Sequence, residues 1–162
     1  MAEIKYIIYA LGDQKYSMKL SKINGIEYIY NVVPVPMGAD CIKGIIHLRN
    51  NIVPIYDLKG QFGIEETAED ANPQMLICET HGIKIGIEVD NVLGIIPIPE
   101  EDIKKVPNVV KNENTGYLEN VVRVTLPETN KTEITLSVNV DKLMTDSDFD
   151  SVSDALEHSS EE

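Results

Sequence analysis

The side chains that could act as nucleophiles, acids or bases are few and are not arranged for catalysis. Before the C-terminal tail the chain holds two histidines, His47 and His81, and two cysteines, Cys41 and Cys78. A nucleophilic triad needs a serine or cysteine beside a histidine that a carboxylate orients. His47 falls within an apolar run, His81 falls at a predicted hairpin turn, and the cysteines stand in apolar segments. The pattern indicates a protein that is not an enzyme.

Patterns for metal and cofactor binding are also missing from the sequence. The chain has no C-x-x-C, no His/Cys spacing typical of zinc and no glycine-rich phosphate loop. The acidic pairs Glu65-Glu66 and Glu100-Glu101 lie in polar stretches, where solvated carboxylates are expected rather than a general acid/base pair. We therefore expect neither metal nor cofactor, and cysteines that are buried as small apolar residues.

The balance of charge excludes nucleic acid as the main partner. The chain carries 27 acidic and 14 basic residues, a net charge of −13 at pH 7. Affinity for nucleic acid depends on clustered Lys and Arg, and so does adsorption to anionic lipid. No run approaches the roughly 18 apolar residues of a membrane-spanning helix. The sequence predicts a cytoplasmic protein, monomeric when isolated, without direct membrane insertion.

Composition and periodicity favour a β-rich fold. The chain has 21 Ile and 15 Val against 11 Leu, and branched side chains are common in strands. Short helices are expected at 57–62 and 141–144, and a helix start at 99–102. Hairpin turns are expected at Asn50-Asn51 and His81-Gly82. Apolar runs between turn residues predict strands at 3–11, 15–20, 25–33, 43–49, 52–58, 74–80, 83–89, 118–126 and 133–140.

An internal repeat relates the two halves of the chain. Shifting the sequence by 69 residues places 6–26 on 75–95 without a gap, so that Gly25 falls on Gly94. Each copy has a strand, a turn, a strand and a glycine, and then a Pro-containing stop, a hairpin and a short helix. The repeat predicts two similar five-stranded units, for which small closed barrels are suitable because closure removes exposed edges.

Several short motifs occur in register with one known family. Residues 42–50 (IKGIIHLRN), followed by 52–58 (IVPIYDL), resemble the KGxxxLRG and (V/I)P(V/I)xDL segments of CheW-like proteins. Residues 6–16 are similar to the opening strand and turn of that family, and 85–92 (IGIEVDNV) are similar to a strand of its second barrel. The resemblance spans residues 3 to about 145.

The resemblance implies a fold and a function. The fold is mainly β, with two SH3-like five-stranded β-barrels and short helices, and residues 1–145 form one CheW-like domain of two pseudo-repeated barrels. The acidic segment 146–162 lies outside it, as a disordered tail or a frayed helix. The implied function is a non-enzymatic adaptor in bacterial chemotaxis. Its implied partners are the regulatory domain of the histidine kinase CheA and the cytoplasmic tip of methyl-accepting chemoreceptors.

The resemblance also places two binding surfaces on this sequence. Arg49 stands at the end of an apolar strand, where it is either a solvated strand end or a planar donor fork for receptor carboxylates. Core packing would explain Ile23 and Ile26 equally well. Simple protection of a strand edge would explain the Pro-containing segment Val32-Val33-Pro34. The implied receptor groove consists of Ile23, Gly25, Ile26, Arg49, Gly86 and Ile95, and the implied kinase surface of Val32, Val33, Pro34 and Gly44.

Two departures from the family pattern leave alternatives open. Gly25 stands where the family commonly has Glu, which removes a charge from the groove, and Asn50 stands where it commonly has Gly. Asn adopts left-handed turn conformations, so the second change is compatible with the fold. The alternative functions are a CheW-like module of a non-chemotactic kinase pathway and a small-molecule sensor that binds in the cleft between the barrels.

Overall fold

The computed structural model describes residues 3–28, 32–34, 42–65, 71–107 and 117–143, so the predictions for Cys41, for positions 29–31 of the expected strand 25–33 and for the tail lie outside the described residues. One α-helix, α1 (Leu58–Phe62), and single-turn 3-10 helices at Leu20–Lys22, Glu100–Asp102 and Val140–Lys142 accompany the strands. The strands are β1 (Glu3–Leu11), β2 (Gln14–Lys19), β3 (Ile23–Tyr28), β4 (Ile42–Leu48), β5 (Asn51–Tyr56), β6 (Gln74–Thr80), β7 (Ile83–Val89), β8 (Asn91–Pro99), β9 (Ile103–Lys105), β10 (Leu118–Thr125) and β11 (Thr132–Val138).

Most predicted elements are confirmed to within a few residues, and one turn is corrected. The β6–β7 turn is His81-Gly82 as expected, whereas the β4–β5 turn is Arg49-Asn50 rather than Asn50-Asn51. Both residues of the observed turn have positive φ, 47° and 68°, which two-residue hairpins of the I′ type require. The shift by one residue places the guanidinium of Arg49 at the tip of the hairpin.

The strands form two sheets that interleave the sequence repeats. Sheet A has the order β8-β1-β2-β11-β10-β9, and sheet B has the order β3-β6-β7-β5-β4. The hairpin β1–β2 of the first repeat therefore joins β8 to β11 of the second repeat, and the hairpin β6–β7 of the second repeat joins β3 to β5 of the first. This arrangement corrects the expectation that each repeat builds its own unit. The repeat shows which elements are alike, but β3 pairs with β6 and β8 with β1 across the repeat boundary.

Burial confirms the offset of 69 residues. The strands β1 and β6 are buried on both faces, which explains their nearly continuous apolar runs. In β1, Tyr6 and Ile8 belong to a core within sheet A, and Ile7 belongs to a core shared by both sheets. The corresponding residues of β6 divide in the same way, because Met75 and Ile77 lie in a core within sheet B while Leu76 and Cys78 lie in the shared core.

A β-bulge recurs at the same place in both copies. On β3 the register shifts between Ile23 and Gly25, which leaves Asn24 as the extra residue opposite β6. On β8 the pairs Gly94–Ile8 and Val92–Tyr9 leave Leu93 as the extra residue opposite β1. Positions 24 and 93 are related by the offset, so the bulge is part of the repeated unit.

Each sheet curves so that the chain leaving one edge strand reaches the opposite edge. In sheet B the backbone of Val33, downstream of β3, exchanges two 2.8 Å hydrogen bonds with Ile45 of β4. In sheet A, β8 leads through Glu100–Asp102 into β9, the opposite edge strand. Among the described residues no ladder joins the two edge strands of either sheet directly, so full barrel closure stays a prediction.

Two buried or half-buried carboxylates connect the sheets. Asp90, after β7, accepts a 2.8 Å hydrogen bond from the backbone N–H of Gly12 in the β1–β2 turn, and Lys59 of α1 lies 3.2 Å from both of its oxygens. Asp141, after β11, accepts hydrogen bonds from Lys22 at 2.8 Å and from Thr80 of β6 at 2.6 Å. We call these contacts the Asp90 clamp and the Asp141 clamp.

Candidate protein-binding surfaces

Arg49 is presented to solvent by the tight β4–β5 turn. Its side chain is 79% exposed, and its backbone is held in the left-handed region by the two-residue connection. The Nη2 atom of Arg49 donates to Oε1 of Glu27 on β3 at 2.9 Å, and the Glu27 side chain is only 17% exposed. A mostly exposed cation therefore lies against a mostly covered carboxylate.

Glu27 supplies the charge that the resemblance expects at position 25. Residues two apart in a strand share a face, and Oε1 of Glu27 lies 4.0 Å from where a Cβ of Gly25 would be. The replacement of a common Glu by Gly25 therefore does not leave Arg49 without a carboxylate. Sequence reasoning missed Glu27, and its only signal was the two-residue spacing from Gly25.

A shallow depression surrounds this ion pair. We call it the Arg49 depression, and its cavity volume is about 90 Å³. That volume is well below the roughly 300–1,000 Å³ of typical small-molecule sites. Of its lining residues, Val53 and Ile77 are buried, whereas Asn24, Arg49 and Lys84 are exposed. Its lining residues are Asn24, Gly25, Glu27, Leu48, Arg49, Asn51, Val53, Ile77 and Lys84.

The structure brings only some of the predicted groove residues into this depression. Gly25 and Arg49 line it, whereas Ile23 and Ile26 of β3 are half-buried and pack against the shared core. Gly86 is buried in β7, where a Cβ would meet Ile55 Cδ1 and Met75 Sδ at 2.8 Å. Packing within sheet B thus requires glycine at position 86.

Ile95 lies on the other sheet. It belongs to β8, opposite Ile7 of β1, and is 49% exposed. It is not among the residues that line the Arg49 depression. Its part in a receptor groove remains a prediction.

The four residues of the predicted kinase surface lie together in the structure, with Gly44 itself buried. We call it the Val33 edge: Val32, Val33, Pro34 and Gly44. Val33 is 57% exposed, while Val32 packs against the core within sheet B. A Cβ on Gly44 would lie 2.5 Å from the Val33 carbonyl oxygen and 2.7 Å from Val32 Cγ1. Glycine at position 44 is therefore what allows the two backbones to approach.

The side chains considered for chemistry are held by structural contacts or exposed. His81 Nε2 lies 3.0 Å from the backbone carbonyl of Asp141, and His47 is exposed on β4. Burial raises the pKa of the Cys78 thiol to about 12, and its Sγ lies 3.7 Å from Met18 Sδ. Such a thiol is protonated and inert at neutral pH.

Within the described ranges no three His, Cys, Asp or Glu side chains come together as a possible metal site. The same residues contain no helix of the length and apolarity needed to cross a membrane. A hollow of about 310 Å³ lies beside Arg123, but strands of sheet A and Asp102 line it. It is therefore not the cleft between the sheets that the small-molecule hypothesis requires.

Comparisons with known proteins give consistent matches. A family described as the CheW-like domain matches residues 5–148. The chemotaxis protein CheW of Treponema pallidum is 26% identical over 125 residues, covering 75% of this chain and 74% of that protein. The chemotaxis protein CheW of Klebsiella aerogenes is 29% identical over 114 residues, covering 70% and 69%.

A solved structure agrees in fold. The crystal structure of the scaffolding protein TtCheW from Thermoanaerobacter tengcongensis matches with a TM-score of 0.77 at 25% identity. The match covers 90% of this chain and 95% of that chain. The agreement therefore extends over both sheets and the core that they share.

Proposed function

The chain belongs to the CheW-like domain family, and from this premise we propose that it is a non-enzymatic adaptor that couples methyl-accepting chemoreceptors to the histidine kinase CheA. Relatives named as chemotaxis proteins and a solved scaffolding protein support this role. In this role the protein works in the cytoplasm, at receptor arrays near the inner face of the membrane. It uses two separate protein-binding surfaces and no cofactor.

The receptor is proposed to bind at the Arg49 depression. The observation that carries this assignment is the 79% exposed side chain of Arg49 in a depression that Leu48, Val53 and Ile77 also line. A helical receptor tip offers an apolar stripe and carboxylates, and a planar guanidinium binds a carboxylate through two parallel hydrogen bonds. Glu27 orients the guanidinium in the free protein, and a receptor carboxylate can share or replace it.

The regulatory domain of CheA is proposed to bind at the Val33 edge. An exposed valine followed by Pro34 on a strand-like segment gives an apolar surface that lacks one backbone donor. The segment is fixed by its backbone hydrogen bonds to Ile45, so a partner would meet a preformed surface. Such preorganisation reduces the entropy lost on binding.

A pair of charge reversals tests the receptor surface. The chain has two arginines, Arg49 at the tip of a sheet B hairpin and Arg123 on β10 of sheet A. By titration calorimetry with a soluble receptor hairpin fragment, Arg49→Glu is expected to weaken binding by about 2–5 kcal/mol, the range for close charge pairs that are desolvated at an interface. Arg123→Glu is the matched control and is expected to leave receptor binding unchanged.

The same variants separate the two surfaces. Arg49→Glu is expected to bind the CheA regulatory domain as the unmodified protein does. Equal loss of both partners would mean that Arg49 supports the fold instead of contacting the receptor. Tight binding to another kinase and none to CheA would favour the non-chemotactic pathway.

A further inference from the structure

Asn24 lies in an unusual chemical setting within the Arg49 depression. Asn24-Gly25 is the single Asn-Gly dipeptide of the chain. Its asparagine side chain is exposed and lines the depression together with Arg49 and Lys84. None of the functions discussed above uses the amide of Asn24.

The backbone at this dipeptide departs from the regular register of a strand. Asn24 is the extra residue of the β3 bulge, so it lies outside the regular register opposite β6. β3 is an edge strand of sheet B and is paired on one side only within the described ranges. Gly25 pairs with Ile77 of β6, but it lacks a Cβ that would obstruct the approach of its nitrogen to the preceding side chain, and its backbone adopts more conformations than that of other residues.

These conditions are those of succinimide chemistry. The backbone nitrogen of Gly25 attacks Cγ of Asn24, a C–N bond forms, and the side-chain amide leaves as ammonia with the proton from that nitrogen. Water then opens the ring at either carbonyl and gives aspartate or isoaspartate. The net reaction consumes one water, releases one ammonia and needs no oxidant, reductant or enzyme. Its rate rises with pH because the attacking nitrogen must lose its proton.

We propose that Asn24 is a site of spontaneous deamidation, which converts a neutral amide of the depression into a carboxylate as the protein ages. The corresponding bulge in sheet A has Leu93 before Gly94 and cannot undergo this reaction. Only the copy of the bulge that borders Arg49 therefore carries the reactive dipeptide.

The structure indicates what the new charge would do. Nδ2 of Asn24 donates to Oε2 of Glu79 on β6 at 3.1 Å. After deamidation the donor is gone and two carboxylates face each other, so the side chain at position 24 turns from Glu79 towards Arg49 and Lys84. Isoaspartate also adds one backbone atom to β3 at the bulge. Both products add a negative charge beside the Arg49–Glu27 pair and repel an acidic partner, a consequence that rests on the proposed function.

The first experiment measures the modification without any partner. The full chain is incubated at mildly alkaline pH, digested with trypsin, and the peptide 23–43 is analysed by fragmentation that separates position 24 from Asn31. We expect replacement of the amide by a carboxyl at Asn24, with isoaspartate confirmed by an isoaspartyl methyltransferase assay. Gly25→Ala is the control, because a Cβ there meets no atom closer than 4.0 Å and yet hinders ring closure.

Two results would overturn the proposal. One is an unmodified Asn24 in the folded chain under conditions in which a synthetic peptide of residues 21–27 deamidates. The other is an equal rate of deamidation in Gly25→Ala.

The second experiment tests the consequence for binding. Asn24→Asp is expected to bind the receptor fragment roughly 2- to 5-fold more weakly than the unmodified chain, in line with the small energies of exposed charges. Asn24→Gln keeps the neutral amide and is expected to bind with less loss. Unchanged affinity of Asn24→Asp would contradict the functional consequence. Failure of the unmodified chain to bind would instead contradict the proposed function and leave the deamidation result standing.

Discussion

The Arg49–Glu27 pair and the Asp90 clamp use the same chemistry in two different environments. At the depression the Arg49 and Glu27 side chains are 79% and 17% exposed, whereas in the Asp90 clamp Lys59 and Asp90 are 21% and 8% exposed. Water screens the first pair strongly and the second weakly. The first pair can therefore exchange partners at little energetic cost, while the second fixes α1 and β7 against the β1–β2 turn.

Position in the fold explains this difference. The Asp90 clamp lies between the two sheets, next to the shared core, and it also accepts a backbone N–H. The Arg49–Glu27 pair joins a hairpin tip to an edge strand within one sheet. Burial and backbone partners, not the opposite charges themselves, separate the two pairs.

The largest effect on stability is expected at the Asp90 clamp. Asp90→Ala removes the partner of Lys59 and leaves the buried N–H of Gly12 without its acceptor. The free energy of unfolding should fall by about 3–5 kcal/mol, the usual cost of breaking a buried ion pair. Urea unfolding measures it, with Asp90→Asn as the matched variant because its amide oxygen can still accept from Gly12. Equal stability of Asp90→Ala and the unmodified protein would remove the distinction between the two pairs.

The next effect concerns the Val33 edge. Gly44→Ala places a Cβ against the Val33 carbonyl, so the two backbone hydrogen bonds to Ile45 must lengthen or break. We expect a loss of about 1–3 kcal/mol of stability, as for other overpacked sites, together with weaker binding of the CheA regulatory domain. Binding of the receptor fragment should be retained. If kinase binding is unaffected although the Val33–Ile45 backbone hydrogen bonds are disrupted, the kinase surface lies elsewhere.

A smaller effect is expected for the exposed pair. Arg49→Ala should change the free energy of unfolding by less than about 1 kcal/mol, because exposed ion pairs contribute little. Urea unfolding beside Asp90→Ala compares the two pairs directly. A loss as large as that of Asp90→Ala would show that Arg49 is structural.

The smallest effect is the pH dependence of the Asp141 clamp. Hydrogen bonds from Lys22 and then Thr80 lower the pKa of Asp141 below its ordinary value of 3.8, and Asp141 raises the pKa of Lys22 above 10.5. The contribution of Asp141 to the free energy of unfolding is complete above pH 3.8 and is lost as the pH falls through the lowered pKa. The Lys22 contribution is complete below pH 10.5 and is lost as the pH rises through the raised pKa.

Both side chains of this clamp are more than a third exposed, so the total should stay below about 1 kcal/mol. Urea unfolding across pH measures it. In the Asp141→Asn variant the free energy of unfolding should fall less steeply at acidic pH. An unchanged slope at acidic pH in that variant would assign the pH dependence to other carboxylates.

The sequence predicted the strands and the repeat because both depend on local pattern. Apolar runs such as Tyr6–Tyr9 and Met75–Cys78 indicate strands buried on both faces, and the offset of 69 residues places equivalent residues in equivalent cores. The exchange of hairpins between the repeats was not predictable in this way, because strand pairing is a long-range property. An apolar strand is equally suited to either neighbour.

The candidate site was predictable only in part for a related reason. Arg49 was identified from its position in a motif, and the residues of the Val33 edge lie together because Gly44 permits the approach of two backbones. Glu27 was missed, since its role depends on which residue of β3 faces the β4–β5 turn. Gly86 was assigned to the groove, but its position is explained by packing against Ile55 and Met75.

In the proposed function one molecule holds two partners at separate surfaces. Titration calorimetry can test this by adding the receptor hairpin fragment to the protein alone and to the protein saturated with the CheA regulatory domain. The account predicts the same stoichiometry and a receptor affinity that is not reduced in the second titration, with a ternary complex in light scattering. Displacement of the kinase domain by the receptor fragment would show a single shared surface and would contradict the account.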